Sequence, residues 1–238
     1  MPTYTAAVEE IEIPTRELVL GLVGVYNRAY WPAAAFGAAV ALAAVAFVLV
    51  KPGAFSDLIV KILLNLLWLW TGVIFFWGRF APEFHVAYLF AFAFILQGTF
   101  FFMDAFFGTL EFRPFKSAPT LLIGCGLLAA AGVLHPIVSS WSGRGWPALR
   151  LVGTAPAPTA AFTLALLTFT LHKPRPLFFV IPAAWALIAG VCVAQAWRFY
   201  EELIPAGVAA VAVLCFVAAL CRTLPARESE TAGGATSW

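Results

Sequence analysis

Residues 31–50 read WPAAAFGAAVALAAVAFVLV, twenty residues without a charged side chain, closed by Lys51, Pro52 and Gly53. A helix rises about 1.5 Å per residue and the hydrocarbon core of a bilayer is about 30 Å thick, so this run has the length and polarity of a membrane span. Working outward, runs of the same kind are predicted at 57–78, 84–107, 118–140, 157–172, 176–197 and 204–221. The fifth is the shortest and is the candidate for a broken or half-inserted helix. Most breaks are short and carry charge, proline or glycine. The one long connection, 139–156, holds Gly143, Gly145, Pro147, Gly153 and Pro156, which is loop chemistry.

Composition agrees with that reading. Of 238 residues, 63% are apolar and 11% charged, where a soluble domain carries roughly 25% charge. The expected fold is an all-α, polytopic membrane bundle of about seven helices. It divides into an N-terminal segment at 1–30, a bundle at 31–222 and a polar tail at 223–238. A net charge of +2 with no basic cluster argues against a nucleic-acid partner. Cys125, Cys192, Cys215 and Cys221 lie in apolar runs without CxxC spacing and read as free thiols. The N-terminus is acidic (Glu9, Glu10, Glu12), so no cleavable targeting segment is expected.

Ahead of the first span, Glu17, Gly21, Gly24 and Arg28 recur on one side of a helix, with Leu18, Leu22, Val25 and Tyr26 on the other. This pattern predicts an amphipathic helix lying in the membrane interface; packing on the bundle is the other reading. Seven crossings place Arg16, Arg28, Arg79, Arg144, Arg150 and Arg198 on one side. Lys51, Lys61, Arg113, Lys116, Lys173, Arg175, Arg222 and Arg227 fall on the other, which favours a cytoplasmic C-terminus.

Ionisable and amide groups at membrane depth usually face a partner or a cavity. Gln97, Phe101 and Asp104 share a face of the third span; Lys61, Asn65, Trp68 and Gly72 share one on the second, with Thr71 beside them. A Gln97–Asn65 contact would join the two helices as interhelical glue. The competing reading is a solute or proton path through Asp104, which also lies close enough to the span's end to reach the headgroups and to pair with Lys61. His85, His135 and His172 are scattered, the first and last near span ends and His135 beside Pro136 in an expected turn. They define no metal or haem site. Phosphate-loop, zincin and nucleophile-elbow motifs do not occur, so no enzyme activity and no cofactor is indicated. Ala33, Gly37 and Ala41, and Ala206 and Ala210, suit close helix packing. Phe100, Phe101, Phe102, Phe106 and Phe107 form an aromatic surface for lipid, another membrane protein or a planar ligand.

Four blocks carry a resemblance. They are Tyr26-Asn27-Arg28-Ala29-Tyr30-Trp31-Pro32; Leu67 to Val73 with Ala87 to Phe90 and Gln97-Gly98; Gly153-Thr154-Ala155-Pro156-Ala157-Pro158-Thr159; and Lys173 to Pro176 with Ile181-Pro182 and Trp185. In order and nearly end to end, they resemble an uncharacterised bacterial membrane-protein family, domain of unknown function 6064. The resemblance implies an all-helical membrane fold and supplies no activity. It also implies two departures here: members tend to carry a His near Arg144 and a Cys at the position of Ala157. The expectation is a non-catalytic inner-membrane protein whose partners are the lipid bilayer and other integral membrane subunits, an accessory or scaffolding role. The alternative is a small-solute permease with a path near Asp104, Gln97 and Asn65.

Overall fold

Proline opens four of the helices: Pro32, Pro119, Pro156 and Pro176 each stand within the first two helical positions. There the missing N–H removes a donor that would have no partner, and the fixed φ suits helix entry. The computed structural model describes residues 14–114 and 117–233, with side chains through Arg222. Glu9, Glu10, Glu12, Lys116 and the last residues of the polar tail, along with Arg227 as a side chain, lie outside the described residues.

The described chain is all-α. In order come α1 (Arg16–Ala29), α2 (Trp31–Val50), α3 (Ala54–Phe80), α4 (Val86–Phe107), α5 (Ala118–Trp141), α6 (Pro156–Thr170), α7 (Pro176–Trp197) and α8 (Leu203–Gly233). A single turn, Tyr200–Glu202, precedes α8. Six of these, α2 to α5, α7 and the segment Tyr200–Arg222, are long and apolar enough to cross a membrane. The fifth predicted run is the exception. It forms α6, fifteen residues and about 22 Å long, and every one of its side chains is buried. Enclosed by α3, α5, α7 and α8, α6 needs no lipid-facing surface.

Hydrogen bonds define the two ends of the bundle. At one end, α1 meets the 142–155 connection, because Asn27 Nδ2 donates to the Pro147 and Leu149 carbonyls at 2.5 and 2.7 Å. At the far end, the Arg113 N–H donates to the Phe169 carbonyl at 2.9 Å. Lys173 Nζ there donates to Glu111 at 2.6 Å, and that ammonium holds the Glu111 carboxyl below the usual carboxylate range. Exposed Trp31, Trp77, Tyr88, Trp141, Trp146 and Tyr200 all gather at the α1 end. Such amphipathic rings suit headgroup depth. The far end exposes Phe55, Phe106 and Phe107 instead.

α1 packs on the bundle with a face turned from the expected one. Val19, Leu22, Val23, Tyr26 and Asn27 point inward, while Leu18 and Val25 stay exposed. Gly24, expected on the polar side, is buried beneath Pro147, because the 142–155 connection covers that side of the helix. The small residues of α2 serve the same connection: a Cβ on Gly37 would stand 3.0 Å from the Val152 carbonyl oxygen. Gly153 answers it with φ of 80°, a conformation that favours glycine.

α3 and α4 form an antiparallel pair whose backbones approach through glycine. A Cβ on Gly72 would lie 3.1 Å from the Ile95 nitrogen and 3.2 Å from the Ala91 oxygen, both α4 backbone atoms. Gly72→Ala is therefore expected to destabilise the protein by about 1–3 kcal/mol through overpacking. Gly126→Ala, at an exposed helical position with open space around it, should melt at or slightly above the parent in detergent, because alanine favours the helix over glycine. Equal midpoints for the two variants would refute the close α3–α4 crossing.

Candidate functional site

The polar residues singled out on α3 and α4 are buried, apart from half-buried Asp104, but they serve different neighbours. Lys61 Nζ and Asp104 Oδ2 form an ion pair at 2.8 Å. Asp104 also accepts the backbone N–H groups of Thr109 and Leu110 at 3.0 and 3.1 Å, which fastens the chain leaving α4. Asp57 does the same one step on, accepting Phe112 N–H and the Arg113 guanidinium, each at 2.9 Å. These pairs are a lock at the far end. Trp68 Nε1 donates to Thr163 Oγ1 of α6 at 2.8 Å.

The expected Gln97–Asn65 contact does not form. Gln97 Nε2 instead donates to the Phe178 carbonyl of α7 at 3.4 Å, and Asn65 Oδ1 and Gln97 Oε1 have no partner. Two causes are visible. Asn65 faces Gly98, where a Cβ would be 3.3 Å from its Oδ1, and Gln97 is turned about 100° away on the helix. Pro182, inside α7, has no N–H to return to the carbonyl four residues before it, that of Phe178. Gln97 replaces the missing donor.

The other family-motif residues converge on the α1 end. Tyr26 Oη accepts from Trp70 Nε1 at 2.7 Å, and burial pushes the Tyr26 hydroxyl well above its ordinary pKa. Thr159 Oγ1 accepts the Gly153 N–H at 2.8 Å and donates to the Ala155 carbonyl at 2.6 Å, tying the start of α6 to the connection before it. Pro158 is buried in that first turn. Trp31 and Pro32 stay exposed where α1 passes into α2.

Enclosed by this frame is an ion cluster that sequence reading missed. Arg144 grips Glu201 with a two-pronged contact, Nε to Oε1 at 2.6 Å and Nη2 to Oε2. Arg150 bridges both carboxylates, Nη2 to Glu201 and Nη1 to Glu202 Oε1, the latter at 2.6 Å. The Phe199 ring lies under both guanidiniums, 5.1 and 4.5 Å from its centroid. His135, expected in a turn, sits fully buried inside α5 with Nε2 3.8 Å from Glu202 Oε1. The helix continues through Pro136 because a π-helical segment, Ala130–Leu134, precedes it and resets the hydrogen-bond ladder. The cluster is assembled by Arg198, whose φ of 55° ends α7 and turns residues 199–202 inward. A signal for it existed: two arginines and two glutamates lie in connections that alternate-side counting puts at one end.

Beside the cluster is a cavity of about 330 Å³. α1 closes one side with Val19, Leu20 and Val23; α3 supplies Phe75, Phe76 and Phe80; α7 supplies Trp185, Ala189 and Cys192. Pro156 and Ala157 open α6 at its margin, and Arg150 and Glu202 stand where cavity and cluster meet. π-helical segments at Thr71–Phe80 and Ala189–Val193 form two of its walls. The wider turn of such segments alters side-chain direction along a helix and recurs at functional sites. Among the described residues no three metal-ligating side chains converge.

These features define the class: an all-helical, multi-pass bundle with membrane-length helices, a buried ion cluster and an adjacent apolar cavity. The profile of the Family of unknown function (DUF6064) matches residues 16–225, and the chain belongs to that family. No curated protein and no solved structure matches it.

Two outcomes are expected from this geometry. Gln97→Leu should cost about 0.5–1.5 kcal/mol and markedly less in a Pro182→Ala background, where the helix supplies its own donor. The same change should be additive with Asn65→Leu, as measured by double-mutant cycles on thermal stability. Glu201→Ala strands two buried guanidiniums and should cost about 3–5 kcal/mol. A melting curve like the parent's would show that water already reaches them.

Proposed function

We propose that the protein is a non-catalytic subunit of the cell inner membrane, accessory or scaffolding in role, that works by packing against other integral membrane subunits. The observation that carries this reading is the disposal of charge. The buried carboxylates of Asp57, Glu201 and Glu202 and the half-buried one of Asp104 are each engaged by a cation at one end of the bundle or the other. Between those ends the core is filled by Trp68, Phe94, Phe101, Leu164 and Leu167, all fully buried. A bundle locked at both ends and filled between them suits a scaffold. The permease reading needs Asp104 to face an open path, and its carboxylate is already shared among Lys61 and two backbone amides.

The partner-facing surface in this reading is on α4, where Phe102 and Phe106 pack edge to face at 5.1 Å and Phe107 is 76% exposed. Counted along the sequence, eight Lys and Arg fall in the segments on the C-terminal side against six on the other, which favours a cytoplasmic C-terminus. Asp104→Asn should leave any solute uptake by reconstituted vesicles unchanged, while Phe102→Ala with Phe106→Ala should shift the protein on a native gel to a smaller assembly. Asp104-dependent uptake by the protein alone would establish the permease instead. A reporter fused after Trp238 that works only when exported would reverse the orientation.

A further inference from the structure

We propose that the cavity at the α1 end binds a lipophilic molecule with a neutral, hydroxyl-bearing ring head, of the isoprenoid quinol class. Its volume of about 330 Å³ lies at the small end of ligand cavities, roughly 300–1,000 Å³, enough for a ring head with the first part of a tail. Its walls are apolar and rich in flat rings. Phe75 and Phe80 stack at 4.4 Å, and Trp185 stands edge-on to Phe76 and Phe90 at 5.1 and 4.9 Å. A planar head has faces to pack against.

The polar side of the cavity is the meeting point of Arg150 and Glu202, 8% and 1% exposed. Each spends most of its hydrogen-bonding capacity in the ion cluster, and each keeps one atom without a partner: Arg150 Nε, a donor, and Glu202 Oε2, an acceptor. A third lining residue, Trp185, has an unpartnered Nε1 donor. Buried polar atoms of native proteins are rarely left unpaired, and each orphan invites a missing partner. One hydroxyl answers both needs at the cluster, accepting from Arg150 and donating to Glu202. A second ring oxygen offers Trp185 an acceptor.

Charge narrows the class further. Among the buried groups, Arg144 and Arg150 match Glu201 and Glu202 one for one, while Arg16, 5.9 Å from the Phe199 ring, stays exposed. An anionic head would meet two carboxylates and a cationic head two guanidiniums, each buried where such charges are costly. The location agrees as well. The cavity lies against α1 at the end that carries the exposed Trp and Tyr residues, the depth at which the heads of membrane lipophiles lie. The inference is independent of the scaffold reading, because it concerns the isolated protein and not its assembly.

The test is a titration of the purified full chain in lipid nanodiscs with a short-tailed benzoquinol kept reduced by ascorbate, followed by quenching of tryptophan fluorescence. Saturable quenching is expected, weakened roughly tenfold when the matching benzoquinone, which has no hydroxyl to give Glu202, replaces the quinol. Cys192→Phe narrows the cavity at an exposed wall position and should weaken quinol binding by a similar factor without lowering the melting temperature. Glu202→Gln should weaken it too where that variant folds. The proposal is overturned by linear quenching with no saturation, by equal binding of a long-chain alcohol or fatty acid, or by unchanged affinity in a folded Cys192→Phe protein.

Discussion

Arg150 is removed from water together with the two carboxylates it bridges, and most of the α1 end is arranged to make that burial tolerable. An isolated guanidinium in a low-dielectric interior is costly, and an ion pair there repays its desolvation only when geometry is good and the remaining donors are used. The fork of Arg144 on Glu201, the bridge from Arg150 to Glu202 and the Phe199 ring beneath both guanidiniums meet that condition in concert. Each contributor comes from a different connection: 142–155 brings the arginines, 198–202 brings the glutamates, and α5 brings His135. The cluster therefore ties the α5–α6 connection to the α7–α8 turn, and α1 seals it through Asn27 and through the Pro14 carbonyl, which accepts Trp197 Nε1 at 2.8 Å.

The enclosed helix α6 follows from the same constraint. With no lipid-facing side it can be short and can carry Thr159, Thr163, Thr168 and Thr170, whose hydroxyls donate to carbonyls three or four residues back. The α6 hydroxyls also answer outside needs, the Gly153 N–H and the Trp68 indole. Gln97 performs the corresponding service for α7, supplying the donor that Pro182 withholds. Polar groups inside this bundle act as repairs to backbone interruptions, and that role explains their scatter better than a shared path does. Of the buried side-chain atoms left without a partner, those of Arg150, Glu202 and Trp185 belong to residues that line the cavity, while those of Asn65, Arg79, Gln97 and His135 belong to residues outside its lining.

Much of the architecture was legible in the residues themselves. Length and hydropathy located every helix of the bundle, prolines marked four of their starts, and the weakness of the fifth run was visible before its reason was. The Lys61–Asp104 pair followed from equal depth on neighbouring antiparallel helices. The inward face of α1 differs from the one its spacing predicts by part of a turn. The spacing alone implies lipid on one side and water on the other, whereas the 142–155 connection covers the side bearing Gly24. Equal depth pairs Gln97 with Asn65, but depth does not say which way a side chain points when the next residue is the glycine at the crossing.

What the sequence determined by itself is the solvent. Seven apolar runs, the fifth of them short, with only 11% charged residues in the chain, leave too little polar surface for a water-soluble domain, and their order and short breaks impose an antiparallel bundle. What only the tertiary structure decided is the site. Arg144 and Arg150 are separated from Glu201 and Glu202 by more than fifty residues, in connections that look like ordinary polar breaks. Their burial depends on α6 being too short to hold its connection at the surface and on a left-handed Arg198 turning the glutamates inward. Neither condition has a periodic signature, because both arise from where helices end in space and not from the pattern along any one of them.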